Sequence, residues 1–366
     1  MAISYHRPTK IVVDLQAIQQ NLKNELAHNQ GKDIFVAVKA NGYGHGAVAV
    51  SKAALEVGVT GLCVVTIDEA IELRENGIDA PILCLGIIDV SVIPLAITYD
   101  IAVPVATLDW LHAANEMLTT TPLKLHIAVD TGMGRIGFLT VEDIKEAALF
   151  IEQAPAMIWE GIFTHFSTAD QEEDTYWQKQ NQRFKEILEH LPRLPHYVHV
   201  SNSATSLWHD DLGNMVRFGI AMYGLNPSGT AMTAGYPLQP ALSLVSQLVQ
   251  VKKVPKGEGI GYGKTYETSE MEWIGTVPIG YADGYLRKMQ GFHVLVDGEF
   301  CEIVGRVCMD QLMIRLPEPV VTGTRVTLIG KDKDKEITLQ EVADYLDTIH
   351  YEVICSFSER IPREYN

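Results

Sequence analysis

A chain of 366 residues exceeds the roughly 250–300 at which a single hydrophobic core stops growing, so two domains are expected. An apolar fraction of 47% and a charged fraction of 20% exclude a disordered or low-complexity chain. The formal net charge of −17 argues against nucleic acid as the general partner, because phosphate backbones are bound through clustered Lys and Arg.

In chain order, the opening MAISYHRPTKIVVDLQAIQQNL has no basic segment leading into an apolar stretch and a small-residue cleavage site, so no secretory signal is read and a cytoplasmic location is expected. Its IVVDL can either join a sheet of the second domain or lead into the first helix. From residue 34 to 224, apolar strand-like runs alternate with amphipathic segments of helical period. The eight runs are IFVAVK, GLCVV, PILCLG, IAVPVA, LKLHIAV, MIWEGIFTHF, HYVHVS and MVRFGIAMYG. VEDIKEAALFIEQ after Thr140 and DTYWQKQNQRFKEILEHL from Asp174 are the clearest helices, with cap-forming residues near their starts. Eight βα units predict a (β/α)8 barrel, which takes roughly 200–250 residues, with a doubly wound sheet as the competing arrangement. The most apolar region, residues 81–106, is broken by Asp89, Pro94, Asp100 and Pro104, which predicts buried strands and a helix rather than a membrane span.

After Tyr223 the rhythm changes. LNPSGTAMTAGYPLQP is rich in Gly, Pro, Ser and Thr and predicts a linker. Beyond it ALSLVSQLVQVKKV, WIGTVPIG, FHVLVDGEFCEIVG, QLMIRL and RVTLIG are strand-like, with Asp297 and Gly298 as a hairpin turn, and one helix, LQEVADYLDTI, interrupts them. The expected fold is therefore α/β: a TIM-type (β/α)8 barrel over residues 1–237, followed by a mainly β domain over residues 238–366. The five cysteines, Cys63, Cys84, Cys301, Cys308 and Cys355, are scattered without CxxC spacing, which fits reduced thiols better than disulfides or a zinc site.

In such a barrel the active site is built at the C-terminal ends of the strands, with phosphate often held after strands seven and eight. Lys39 ends the first run, in AVKANGYGHG, where small and turn-forming residues leave room around its amine. By itself it reads as a lysine snorkelling out of a turn. However, Arg135 follows the fifth run, His165 closes the sixth, Asn202 and Ser203 follow the seventh, and Arg217 with Gly219 lies in the eighth. A lysine beside cationic groups in a partly desolvated site can lose pKa and act as an amine nucleophile. Together with a Ser/Gly phosphate cradle, and without metal-ligand spacing, this pattern points to pyridoxal phosphate.

AVKANGYGHG resembles the cofactor-binding signature of alanine racemases. The resemblance runs in order through DTGMGRIG, THFSTAD, SNSA, MVRFGIAMYG, GIGYGKTY, PIGYADG, GRVCMDQ and YEV. It implies a fold-type III cofactor enzyme working as a head-to-tail homodimer. Lys39 would hold the cofactor, Tyr43, Ser203, Gly219, Ile220 and Tyr351 would surround its phosphate with Asn202 alongside, and Arg217, steadied by His165, would face its ring nitrogen. A guanidinium stays protonated, so the ring nitrogen it faces would not be protonated by it. Lys39, serving D-alanine, and Tyr262 of the partner subunit, serving L-alanine, would be the two bases on opposite faces of the substrate. A tyrosine, with a usual pKa near ~10, needs positive surroundings for that role. Arg135, Met309 and Asp310 would contact substrate, and Tyr281 and Arg287 would line the entrance. The product would supply D-alanine for peptidoglycan.

Singly, each residue has an ordinary explanation: Arg135 as a surface arginine, Tyr262 as a half-buried aromatic, Ser203 as a helix cap. The ordered set overturns these. Gly132, Gly134 and Gly137 formally match GxGxxG, yet the expected helix starts only after Thr140, too late for a dinucleotide turn. His196 and His199 are three apart on a strand and so point to opposite faces, as edge and core residues rather than metal ligands. The rival readings are a racemase of serine or of several amino acids and, outside catalysis, a single-barrel pyridoxal-phosphate carrier. One departure from the family stands out. Ala128 occupies the position where many members have a carbamylated lysine that orients the arginine of DTGMGR, and a chloride beside Arg135 is the expected replacement.

Overall fold

The computed structural model describes residues 2–210 and 212–366. All eight apolar runs form strands. After β1 (Lys10–Val13) come β2 (Asp33–Ala37), β3 (Gly61–Val64), β4 (Ile82–Cys84), β5 (Ile101–Val105), β6 (Leu123–Ala128), β7 (Met157–Phe163), β8 (Tyr197–His199) and β9 (Met215–Phe218). Strands β2 to β9 form one parallel sheet in the order β8-β7-β6-β5-β4-β3-β2-β9. Its two ends meet where Arg217 donates to the Ser201 carbonyl at 2.9 Å, beside the bridge between Ser201 and Val216. The fold is thus the TIM-type barrel expected. Its strands carry apolar residues on both faces, since one face fills the interior and the other lies under helices: every residue of β3, β4 and β5 is buried.

The helices start where cap chemistry places them. Thr140 accepts from the Asp143 amide to open Val141–Gln153, and Thr66 and Glu69 form a reciprocal capping box for Ile67–Glu75. Thr175–Glu189 follows Asp174, whose carboxylate instead accepts from the Gln178 side chain at 2.9 Å. No helix among the described residues is long and apolar enough to cross a membrane.

The chain divides into two compact units. One comprises Ala17–Gly42 and Gly46–Pro240, and the other comprises the segment through Gln16, Tyr43–His45 and Ala241–Asn366. In the second unit, β1 pairs antiparallel with β10 (Leu242–Gln247) and parallel with the strand Arg363–Tyr365, so IVVDL joins the β sheet. The run ALSLVSQLVQVKKV proves to be two strands in different sheets: β10 lies in a seven-stranded sheet, whereas Gln250–Val254 pairs with Glu272–Val277 in a three-stranded one. Asp297 and Gly298, both at positive φ (52° and 80°), turn His293–Val296 onto Glu299–Glu302. Where one helix is expected there are two. Leu339–Leu346 stops because Asp347 adopts the left-handed conformation, and His350–Ser356 restarts after it. Cys63, Cys84 and Cys301 are buried, and no disulfide joins any of the five cysteines.

The segment predicted as a linker has no helix or strand, yet it is tied to the barrel unit. Asn21 donates to the carbonyls of Met222 and Gln239 and accepts from the Gln239 amide. Gly224 makes this possible: its φ is 81°, and a Cβ there would lie 1.8 Å from the Gln239 carbonyl oxygen. Gly58 is also at positive φ (96°) but has nothing within 4 Å. Gly58→Ala should therefore cost only the left-handed penalty of about 1–2 kcal/mol. Gly224→Ala should add an overpacking cost of roughly 1–3 kcal/mol. Urea unfolding followed by barrel tryptophan fluorescence checks this, and equal midpoints for the two variants would show that the contact between Gly224 and Gln239 is not tight.

Candidate active site

Strand β2 ends just before Lys39, and the chain then winds into a left-handed turn. Ala40, Asn41 and Gly42 have φ/ψ of 51/51°, 52/49° and 60/44°, and Tyr43 and Gly44 continue at φ 50° and 78°. Each L-residue held this way, Ala40, Asn41 and Tyr43, costs about 1–2 kcal/mol, least for asparagine, so the stretch persists only where its surroundings hold it. Surrounding bonds hold it: the Gly42 amide donates to the Val38 carbonyl (2.7 Å), the Ala40 amide to the Glu69 carboxylate (2.7 Å) and the Ala47 amide to the Asn41 side chain (2.9 Å). Lys39, half-buried, is the residue from which this rigid turn departs.

Around the same strand ends, Asn202 caps the helix Ser203–Trp208 by accepting from the Thr205 amide at 2.9 Å. Ser203 Oγ accepts from the Gly219 and Ala221 amides, at 2.9 and 3.4 Å, so the starts of Ser203–Trp208 and of the 3-10 turn Ile220–Tyr223 converge on one hydroxyl. Arg217, in β9, is 5% exposed. Its Nη1 donates to His199 Nδ1 (2.8 Å) and the His199 carbonyl (3.0 Å). Its Nη2 reaches the carbonyls of Thr164 (3.0 Å) and Val200 (3.2 Å) and His165 Nδ1 (3.3 Å). Burial, and then the positive charges of Arg217, Arg135 and Lys39, push the His165 imidazole down to about 3, so it is neutral at physiological pH. Burial holds the neighbouring Cys63 thiol up at about 12, protonated and inert.

Arg135 is exposed, in the loop that follows β6. Asp130 organises that loop by accepting from the Gly132 and Gly134 amides at 2.9 and 3.0 Å. The glycines serve this loop, with Tyr176 donating to the Gly132 carbonyl at 2.8 Å, and the helix begins only at Val141. His196 is exposed and His199 fully buried. Ala128 is buried, and its carbonyl accepts from the Phe138 amide at 2.9 Å.

The other expected residues belong to the β unit. Tyr43 and Tyr351 face each other with ring centroids 6.4 Å apart. Arg363 donates to the Gly44 carbonyl at 3.1 Å, and any Cβ on Gly44 would meet the Ile354 carbonyl at 2.4 Å. The segment with Tyr281 docks on the segment with Met309 and Asp310: the Tyr281 amide donates to the Cys308 carbonyl (3.1 Å) and the Ala282 amide to the Met309 carbonyl (3.0 Å). Fully buried Asp283 takes both terminal nitrogens of Arg7 at 2.9 and 2.6 Å, while Arg360 pairs with Asp310 at 2.7 Å. Tyr262 sits apart from these on its own turn between Gly261 and Gly263, both at positive φ, and is 67% exposed. Met309 and Tyr281 are exposed as well.

Three contributors were given no role at the site from sequence: Thr164 and His199, the latter read only as a core residue, which hold Arg217, and Glu69, which anchors the left-handed turn. The alternation of β8 turns His199 to the barrel interior, but only the barrel's closure shows that Arg217 lies next to it.

The alanine racemase N-terminal domain family matches residues 13–227 and the alanine racemase C-terminal domain family matches residues 241–365. The second match sets aside a single-barrel carrier. An alanine racemase of Levilactobacillus brevis is 55% identical over the full length of both chains. The crystal structure of alanine racemase from E. faecalis is 59% identical with a TM-score of 0.99, covering both chains in full. A histidine racemase from Leuconostoc mesenteroides is 33% identical with a TM-score of 0.95, covering 100% of this chain and 99% of that one. The chain therefore belongs to the alanine racemase family, a family of pyridoxal-phosphate-dependent isomerases.

Proposed function

We propose that this chain interconverts L- and D-alanine in the cytoplasm, as a head-to-tail homodimer, and so supplies D-alanine for peptidoglycan. The observation that carries the reading is the convergence of Lys39, Arg135 and Arg217 on one neutral histidine, beside the Ser203–Gly219 cradle. The donor set fits pyridoxal phosphate. Its aldehyde needs an amine, which Lys39 provides. Its phosphate needs N–H and O–H donors with little bulk, which Ser203, Gly219, Ile220 and the capped turn at Asn202 provide, with Tyr43 and Tyr351 as further hydroxyls. Its ring nitrogen needs a polar side chain, for which Arg217 is held.

Once bound, the cofactor supplies an electron sink that makes the substrate's α proton acidic. The rest falls to the chain. Lys39 Nζ takes or returns the proton on one face, and Tyr262 of the partner subunit does so on the other, which spares the substrate from turning over. Tyr262, Tyr281 and Met309 are all exposed on a single chain, which supports their being covered by a second copy. Arg135, Met309 and Asp310 would orient the substrate, with Tyr281 at the entrance. Neutral His165 leaves the positive charge of Arg217 undivided.

The purified protein should be yellow, and borohydride should fix the chromophore to the peptide containing Lys39. It should also racemise L- or D-alanine and give weaker or no turnover with serine and histidine. Label on another lysine would overturn the cofactor assignment. Equal turnover of histidine, the substrate in the name of the Leuconostoc mesenteroides neighbour, would favour a racemase of broader range.

Lys39→Ala and Tyr262→Phe proteins should each be nearly inactive. Refolding them together should restore activity, because one site of each mixed dimer then has both residues. Absence of recovery in verified mixed dimers would place both bases on one chain.

A chloride beside Arg135 is the reading we propose for the missing carbamate at Ala128. Because Arg135 is exposed in one chain, the cost of unpaired guanidinium donors arises only once a partner covers the loop. Replacing chloride with a bulky, weakly coordinating anion at constant ionic strength should therefore lower activity reversibly. Indifference to the exchange would assign Arg135 another orienting group.

A further inference from the structure

Behind Arg217 the barrel interior holds a chain of polar groups to which the proposed reaction gives no role. Arg217 Nη1 meets His199 Nδ1 at 2.8 Å, His199 Nε2 meets His126 Nδ1 at 2.8 Å, and His126 Nε2 meets a Glu160 carboxylate oxygen at 3.0 Å. Both imidazoles are essentially without solvent contact (0% and 1% exposed). The direction of the chain is fixed by its first member. A guanidinium has only donors, so His199 Nδ1 accepts. The remaining proton of neutral His199 then sits on Nε2 and is donated to His126 Nδ1, which leaves the His126 proton on Nε2, facing the carboxylate.

Two backbone features build this relay. The β6–β7 register runs from Leu125 opposite Trp159 to His126 opposite Gly161, so Glu160 is an extra residue bulged out of the parallel ladder. Bulges re-aim a side chain away from the strand's alternation. At Gly161 an added Cβ would lie 2.2 Å from His126 Nδ1, so only glycine leaves room for the ring. Aromatic faces complete the housing: Phe163 stacks on His199 (4.9 Å, 10°) and Tyr197 on His126 (6.0 Å, 18°).

We propose that Glu160 is a positioning residue for Arg217, acting through His126 and His199: Arg217 sets the direction of the chain, and the carboxylate at its far end takes the His126 Nε2 proton, so that both imidazoles are held from both ends and the guanidinium is kept in one plane and one orientation. The proposal rests on Arg217 belonging to the cofactor site. Each hydrogen bond polarises the next, so a charged acceptor at the far end strengthens the bond at Arg217 more than a neutral one would.

The test uses ¹⁵N NMR of the histidine side chains, recorded first on the protein freed of cofactor. In the parent protein His126 and His199 should both be protonated at Nε2 and bare at Nδ1. Glu160→Leu leaves the His126 Nε2 proton without its acceptor, so a mixture of tautomers should appear at His126, while His199 keeps its bare Nδ1 against Arg217 and the His199 and Arg217 resonances move. Glu160→Gln keeps an acceptor oxygen but no charge, so the tautomers should persist while the His126 Nε2 and Arg217 Nη resonances move. In the reconstituted enzyme, loss of an interaction worth about one hydrogen bond should lower kcat about tenfold, with KM for alanine little changed. Histidine and arginine resonances unmoved in both variants, or unchanged kcat in Glu160→Gln, would overturn the proposal. A stability loss with unmoved resonances would likewise reduce Glu160 to a structural residue. The NMR measurement needs no turnover: nitrogens that respond as expected in a protein that does not racemise alanine would uphold the relay and overturn the proposed reaction instead.

Discussion

The barrel is organised around a buried positive charge. A guanidinium that is 5% exposed would cost several kcal/mol if its donors were unpaired. Here Nη1 and Nη2 are met by three carbonyls, those of Thr164, His199 and Val200, and by the Nδ1 atoms of His199 and His165. These partners lie at the ends of β7 and β8, where the parallel ladder runs out, so the closing of the barrel brings together the groups that satisfy Arg217. The environment of His165 depends on the same charge, since the cations around it reinforce its burial in keeping the ring neutral.

Lys39 is placed by a different device. A flexible loop would let its amine wander, whereas five successive residues at positive φ, from Ala40 to Gly44, fix the direction in which the chain leaves β2. Such a turn is unstable by itself, so its persistence depends on the bonds from Asn41, Val38 and Glu69. Glu69 therefore has two tasks, closing a capping box with Thr66 and anchoring the Ala40 amide. The helix Ile67–Glu75 and the lysine turn are thereby locked together.

Much of this was legible in the sequence, and the illegible part has a common cause. IFVAVK and its seven successors are mostly apolar runs rich in β-branched residues, and buried parallel strands look like that whatever their neighbours. Thr140, and Asp297 with Gly298, act within a few residues of themselves and were equally plain. By contrast, HYEVICS is seven residues long, too short for helical period to show, and its start depends on the left-handed Asp347 upstream. ALSLVSQLVQVKKV reads as one strand because local hydrophobicity does not record a change of sheet. Lys39, Arg135, His165, Ser203 and Arg217 could be singled out because each ends a strand or follows one. His199 could not, since a histidine on an inward position has the same pattern whether it merely fills space or holds an arginine on the next strand.

The choice of partners for Arg217 also determines what the mouth of the barrel can bind. A carboxylate in direct contact would satisfy the guanidinium, but at a separation near 4 Å it would also cancel most of its field, at about 4 kcal/mol for an effective dielectric of 20. Carbonyls and neutral imidazoles satisfy the same donors and leave the charge in place. The nearest carboxylate along the hydrogen-bond chain, Glu160, is two imidazoles away. Lys39 and Arg135 add to the field, and their charges join that of Arg217 in lowering the pKa of His165. A chain with a formal net charge of −17 thus gathers three cations, Lys39, Arg135 and Arg217, at its barrel mouth, as the proposed binding of a phosphate and an amino-acid carboxylate together would require.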